Sequence, residues 1–313
     1  MFPNIPKSLS RSFCKYCAVS KIKKSSHHKN KSGSKLSEHI PKQDKSYKKY
    51  AFKYTEHLDI YQRFKPGEFI CIDLKHMPEA LNGEKYLCTY TCIGTRKSTT
   101  LYLHTKDSFK MEYLDYLTHI RNKTGHYPKY VHTDNGGEFV NNTVADIKQK
   151  YGITHTFTSP YSSVQNPIAE RVNRTLTEGS LAMLLLASLP LTFWTYSVST
   201  FTYIKNRTPH KFLRMSNPLT EWNIFESNRA GIDLNDIRTF GCEAYVLDEH
   251  RLKSHPKAFR CIYLGPSSTH KGSVFYNIFT RKIIISRNFI LNEDCSWSSL
   301  VSMTDTWIEI KRS

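Results

Sequence analysis

Residues 130–176 read YVHTDNGGEFVNNTVADIKQKYGITHTFTSPYSSVQNPIAERVNRTL, and the fold class turns on this stretch. Residues 130–133 form a brief β-rich run that ends in Asp134, Asn135 and Gly136, residues suited to a turn. The run NNTVADIKQKYG has an asparagine to cap a helix and Gly152 to stop it. ITHTFTSP is strand-like again. The loop YSSVQ leads to Asn166 and Pro167, an N-cap followed by proline at the first helical position, and a helix runs on through IAERVNRTL.

Upstream, EFICIDL at 68–74 is a short β-rich run ending in an acid. GEKYLCTYTCI and STTLYLHT are also β-like, with a turn at 94–97, which makes a three-stranded meander. In DSFKMEYLDYLTHIRNKTG, Phe109, Tyr113, Leu114, Leu117 and Ile120 fall at helical spacing, and Gly125 closes the helix. The order β-β-β-α-β-α-β-α predicts an α/β domain, a mixed sheet flanked by helices. Downstream, residues 179–204 carry no formal charge. Pro190 interrupts them and eight are Ser or Thr, so two buried helices are expected and not a membrane span. From 238 to 294 the pattern changes to four short strands, GCEAYVL, RCIYLG, SVFYNIF and KIIISRNFIL, which predict a separate small β-barrel or sandwich.

The 313 residues suffice for about two domains. Tyr and Phe number 19 and 17, too many for a wholly disordered chain, and 13 Gly exclude collagen. Eight Cys are too few for a disulfide scaffold and suit a reducing compartment. The formal charge is +18, which makes nucleic acid the first candidate partner. Residues 1–50 alone hold 13 Lys and Arg against Glu38 and Asp44. With few apolar residues, they read as a mostly disordered basic arm, and without an apolar run they are no signal peptide.

Three carboxylates fall at the ends of predicted elements: Asp73 on the first strand, Asp134 after the fourth, and Glu170 in the first turn of a helix. Strand alternation puts Asp73 on the face of Cys71 and Phe69, an otherwise apolar face where a carboxylate needs a cation or strong donors. Converging acids would suit hard cations such as Mg²⁺. The same residues have plainer readings. Asp134 belongs to turn chemistry, and Glu170 has Arg174 at i+4 as a surface partner.

HTDNGGEF, SPYSSVQNPIAERVNRTL and LPLTFWTYSVSTFTYIKNRTPHK, in that order, strongly resemble the integrase region of copia-type LTR retrotransposons. These belong to the DDE strand-transferase superfamily, whose fold is ribonuclease H-like. The 35 residues between Asp134 and Glu170 match the superfamily's spacing. The resemblance runs from about residue 14 to 294, with RTFGCEAYV and YLG matching a small C-terminal β-barrel. It implies a basic arm at 1–60, an integrase core at 61–228 with a five-stranded sheet, a barrel at 236–296 and a tail at 297–313.

The resemblance further implies that Asp73, Asp134 and Glu170 bind divalent ions, Mg²⁺ or Mn²⁺. Glu138 belongs to the motif but not to the triad. The implied chemistry is trimming of a DNA 3′ end by an activated water, then attack of the new 3′-hydroxyl on target DNA. Arg171, Arg174 and Lys205 are candidate phosphate contacts, or ordinary surface charges. DNA is the expected partner, with RNA a second candidate; an active form is expected to be a homo-oligomer in the nucleus, with the cytoplasm as a second location. Cys14 and Cys17 match half of a Zn²⁺ module whose two histidines lie upstream in the family; here His27 and His28 lie downstream.

Other departures are Leu-Lys-His-Met-Pro after Asp73 where the family has Gly-Pro, and Cys92-Ile93 where its second strand ends in two acids. Pro167 replaces a loop glycine, and Leu181, Leu186 and Leu191 stand where charges are usual. The chain has no room for protease, reverse transcriptase or ribonuclease H regions, so an integrase-only piece is expected. Two functions follow from the sequence: a DNA integrase, or a degenerate or host-adopted non-catalytic nucleic-acid-binding protein that keeps the fold. A generic ribonuclease H-like nuclease is disfavoured by the NRTP segment and the C-terminal strands.

Overall fold

The computed structural model describes residues 64–134, 136–140, 142–157, 167–213, 216–225, 237–249 and 256–296, with Ser20 and Leu234. Cys14, Cys17, the rest of the basic arm apart from Ser20, and the tail lie outside the described residues.

Strands β1 (Phe69–His76), β2 (Tyr86–Cys92) and β3 (Ser98–Leu103) form the expected antiparallel meander. Strands β4 (Tyr130–Thr133) and β5 (Thr154–Phe157) add on the other side of β1, parallel to it. The order β3-β2-β1-β4-β5 is the mixed five-stranded ribonuclease H-like sheet. Helices cover both faces, so five successive β2 residues after Leu87 are buried along with it.

Helix α1 (Phe109–Thr124) lays Tyr113, Leu117 and Ile120 against Ile70, Ile72 and Val131. It stops at Gly125, whose φ of 79° turns its N–H back to the Arg121 carbonyl. Helix α2 (Asn142–Tyr151) adds Val144 and Ile147 to the same core. The opposite face takes α3 (Pro167–Ala187) and α4 (Trp194–Arg207). There Cys71 packs with Ile168 and Ala169, and Leu87 packs with Leu184, Trp194 and Val198. Helix α5 (Pro218–Phe225) contributes Trp222 to the first core.

The uncharged stretch is two buried helices broken at Pro190, as its proline and hydroxyls predict. The hydroxyls are used within the packing: Ser197 donates to the Ser180 carbonyl at 2.7 Å and Thr202 to the Val198 carbonyl at 2.7 Å. Among the described residues no helix is long and apolar enough to cross a membrane.

The C-terminal region has five strands where the sequence suggests four: β6 (Cys242–Leu247), β7 (Ala258–Pro266), β8 (Ser273–Asn277), β9 (Lys282–Ser286) and β10 (Phe289–Ser296). KIIISRNFIL divides because Ser286 Oγ accepts the Asn288 N–H at 3.1 Å and turns the chain. The antiparallel order is β10-β6-β7-β8-β9. β9 and β10 are the two edges, yet only Arg287 and Asn288 separate them in sequence, a span of at most about 11 Å. The sheet must therefore curl back on itself, consistent with a small barrel.

Candidate active site

β1 and β4 are parallel neighbours with Cys71 opposite His132. Two steps further along each strand come Asp73 and Asp134, so backbone register alone brings these acids to one level. Helix α3 packs its first turns over Cys71, which brings Glu170 to the same side of the sheet. Asp134 and Glu170 are exposed and Asp73 is partly buried.

The carboxyl of Asp73 is held above the usual range, first by burial. A hydrogen bond from Asn173 and the charge of Lys75 oppose this, while the charges of Asp134 and Glu170 add to it. The three acids are therefore within electrostatic reach of one another. Among the described residues, however, no group of three or more His, Cys, Asp or Glu side chains is gathered closely enough to hold a metal ion.

Asn173 is a site residue that the sequence analysis missed. It lies one helical turn beyond Glu170, is buried, and donates from Nδ2 to Asp73 Oδ2. Its Oδ1 is buried without a hydrogen-bond partner. Carboxylate and amide oxygens are the hard donors that a divalent cation takes, but among the described residues the three acids are not gathered about one point.

Beside Asp134, its own Oδ1 accepts the Gly136 N–H at 3.0 Å, which is the turn chemistry read from the sequence. Thr133, fully buried, places Oγ1 2.8 Å from the Asp134 carbonyl and 2.8 Å from His155 Nε2. Burial, then the charges of Lys148 and His132, push His155 down to about 4. Glu138 pairs with Lys106 at 3.4 Å, and its side chain is 8% exposed.

Arg171 and Arg174 are exposed on α3, open to solvent as phosphate contacts require. Lys205 is not: its Nζ turns inward to donate to Ser98 Oγ at 3.0 Å and to the Arg96 carbonyl at 3.4 Å. Burial and the Arg96 charge lower it to about 8. Lys205 fastens the turn between β2 and β3, so its ammonium is engaged within the fold and not held out toward solvent as a phosphate contact would be. Cys92 and Ile93, the departure from the two acids that end the family's second strand, are core residues. Cys92 Sγ accepts the Gly67 N–H at 3.4 Å, and Ile93 packs with Cys71 and Ala169.

Two family models match the chain: an integrase core domain over residues 64–163 and a retroviral polymerase SH3-like domain over residues 242–305. Asp73 and Asp134 lie within the first match and Glu170 beyond its end. The Retrovirus-related Pol polyprotein from transposon TNT 1-94 of Nicotiana tabacum is 31% identical over 217 residues, 69% of this chain and 16% of that polyprotein. The corresponding polyprotein from transposon RE1 of Arabidopsis thaliana is 26% identical over 236 residues, 74% of this chain and 16% of its own length. The truncated transposon Ty1-A Gag-Pol polyprotein of Saccharomyces cerevisiae is 25% identical over 279 residues, 88% of this chain and 21% of its own. The chain thus spans about a sixth to a fifth of the length of the curated relatives it matches. Among solved structures, the HTLV-2 integrase catalytic core domain in complex with magnesium (trimeric form) matches with a TM-score of 0.39 and 16% identity, covering 50% of this chain and 97% of that one.

Proposed function

We infer that this chain, which belongs with the copia-type retrotransposon Pol proteins and carries their integrase core, is a DNA strand transferase whose acids are Asp73, Asp134 and Glu170. The observation that carries this reading is the level placement of Asp73 on β1 and Asp134 just past the end of the adjacent parallel β4, with Glu170 on the helix packed over β1. These carboxylates would hold Mg²⁺ or Mn²⁺, which would supply charge neutralisation at the reacting phosphate.

The chain's own residues do the positioning. Asn173 fixes Asp73 through its amide. Arg171 and Arg174 lie one and four residues beyond Glu170 on the same helix, where DNA phosphates would approach. In strand transfer a DNA 3′-hydroxyl oxygen forms a bond to a target phosphorus; the target's P–O3′ bond breaks, and that oxygen leaves as a new 3′-hydroxyl. One phosphodiester replaces another, so catalysis is mainly orientation and charge stabilisation.

The basic segment 1–50 would add salt-dependent affinity with little sequence choice. Joining both ends of one element needs two such centres, which favours a homo-oligomer acting on DNA in the nucleus. The second reading is a non-catalytic nucleic-acid-binding protein with this fold. It is favoured by the absence, among the described residues, of a metal-holding carboxylate group and by the apolar Cys92-Ile93.

Strand transfer assayed with Mg²⁺ or Mn²⁺ on the element's own terminal DNA separates the two. Glu170→Gln keeps the side-chain size and removes the charge. It should abolish joining while DNA binding persists, melt no lower than the parent without metal, and lose the metal-induced rise in melting temperature. A variant that still joins ends removes Glu170 from the mechanism. A parent with neither joining nor metal-dependent stabilisation supports the second reading.

A further inference from the structure

We propose that His155 is a positioning residue for Asp134, acting through the hydroxyl of Thr133; the proposal rests on the integrase reading above. Thr133 is the last residue of β4, and Asp134 is the first residue beyond it. Its Oγ1 contacts both the Asp134 carbonyl and His155 Nε2 at 2.8 Å. A hydroxyl has one proton, and a carbonyl only accepts. Both bonds coexist only if Thr133 donates to Asp134 and His155 donates from Nε2 to Thr133.

This assigns His155 the neutral tautomer with its proton on Nε2 and a bare lone pair on Nδ1. Nδ1 is buried without a hydrogen-bond partner, which agrees with a nitrogen that has no proton to place. The ring lies against Phe157, tilted by 32° with 4.2 Å between centroids. The titratable neighbours are Lys148 from α2 and His132 from β4, both of which oppose a positive imidazole. His155 thus stays a single-proton donor through the physiological range.

The consequence is mechanical. The chain leaves the sheet at Asp134, where ladder hydrogen bonds no longer orient the peptide. The relay from β5 through Thr133 ends on the carbonyl of Asp134 and fixes that peptide plane. The Gly136 N–H then holds the carboxylate from the other side. A buried ring nitrogen without a partner is costly, and its place at the root of an acid-bearing turn points to a functional constraint.

The test uses the full chain with His155→Phe, His155→Gln, Thr133→Val and Thr133→Ser. Phe keeps a ring against Phe157 without a donor, and Gln retains an N–H. Val removes the hydroxyl, and Ser keeps it. Mn²⁺ affinity by calorimetry and strand-transfer kcat should each fall about tenfold or more in Phe and Val, with KM for DNA unchanged, and should return nearly to the parent in Gln and Ser. Full affinity and kcat in His155→Phe, a loss that Gln does not rescue, or a change carried by KM instead would overturn the proposal.

A second arm does not depend on catalysis. Ring ¹⁵N shifts should report the proton on Nε2, and Thr133→Val should move the amide resonances of Asp134 and Gly136. A parent that neither binds Mn²⁺ nor joins DNA ends the integrase reading. A proton on Nδ1, or unmoved amides, ends this one.

Discussion

Asp73 sits among groups that oppose its ionisation, burial first and then Asp134 and Glu170. An acid whose carboxyl is held above its usual range in the fold contributes stability below its ordinary range. That stability is lost as pH rises through the raised value. Asp73→Asn cannot ionise and still accepts from Asn173. Without divalent ions it should melt above the parent at pH 7, and the difference should shrink toward zero as pH falls to about 3. Melting curves between these limits check it; an equal difference at every pH would mean that burial and the neighbouring acids do not govern Asp73. The three acids stood out as candidates because they fall at element ends, but only the resemblance set them above their plainer turn and surface-pair readings. Asn173 was within reach too, since three residues past Glu170 lies on the same helical face. His155 was not: its role depends on which strand lies beside β4, and spacing within one strand carries no such information.

Helix α4 and the segment after it close over the turn between β2 and β3. Asn206 is buried and accepts the Ser98 N–H at 2.9 Å while donating to the Ser98 carbonyl at 2.7 Å, imitating a strand partner. The Arg96 guanidinium lies 3.8 Å over the Phe212 ring, and the Lys97 ammonium 4.3 Å over Trp222. Of the Asn-Arg-Thr-Pro segment at the end of α4, Asn206 fastens the strand end, while Arg207 and Thr208 bond back to the helix at the Tyr203 and Ile204 carbonyls. Asn206→Leu keeps similar bulk and strips both bonds from Ser98, which should cost about 2–4 kcal/mol in urea unfolding. A cost within about 0.5 kcal/mol would show that water replaces those bonds. The sequence could not distinguish Lys205 from a surface lysine, because only sheet packing turns its ammonium inward. The β9–β10 turn was hidden for a different reason. It contains no glycine or proline and is made by a serine side chain.

The charge of +18 and the packing of the two sheets belong to the whole molecule. One apolar cluster joins Leu184, Phe193, Trp194 and Val198 of the helical layer with Phe240, Ile262 and Leu264 of the C-terminal sheet region. Thr200 of α4 donates to the Leu264 carbonyl at 2.8 Å. The next residue, Gly265, has φ of 119°, and a Cβ there would lie 1.9 Å from Thr200 Oγ1. It follows a register irregularity in β7, so the strand bends where it meets the helix. Shared burial of this kind predicts one cooperative unfolding unit and not two independent domains. Gly265→Ala adds backbone strain and a clash at that contact, together about 3 kcal/mol, or roughly 5–10 °C in melting temperature. Because the contact is shared, tryptophan fluorescence, recorded with Trp297 and Trp307 replaced by Phe so that it reports Trp194 and Trp222, and far-ultraviolet circular dichroism should shift together in the variant. If the barrel transition moved and the fluorescence transition stayed, the C-terminal sheet would be an independent domain. Its packing on α4 would then contribute nothing to holding the acid-bearing core in place.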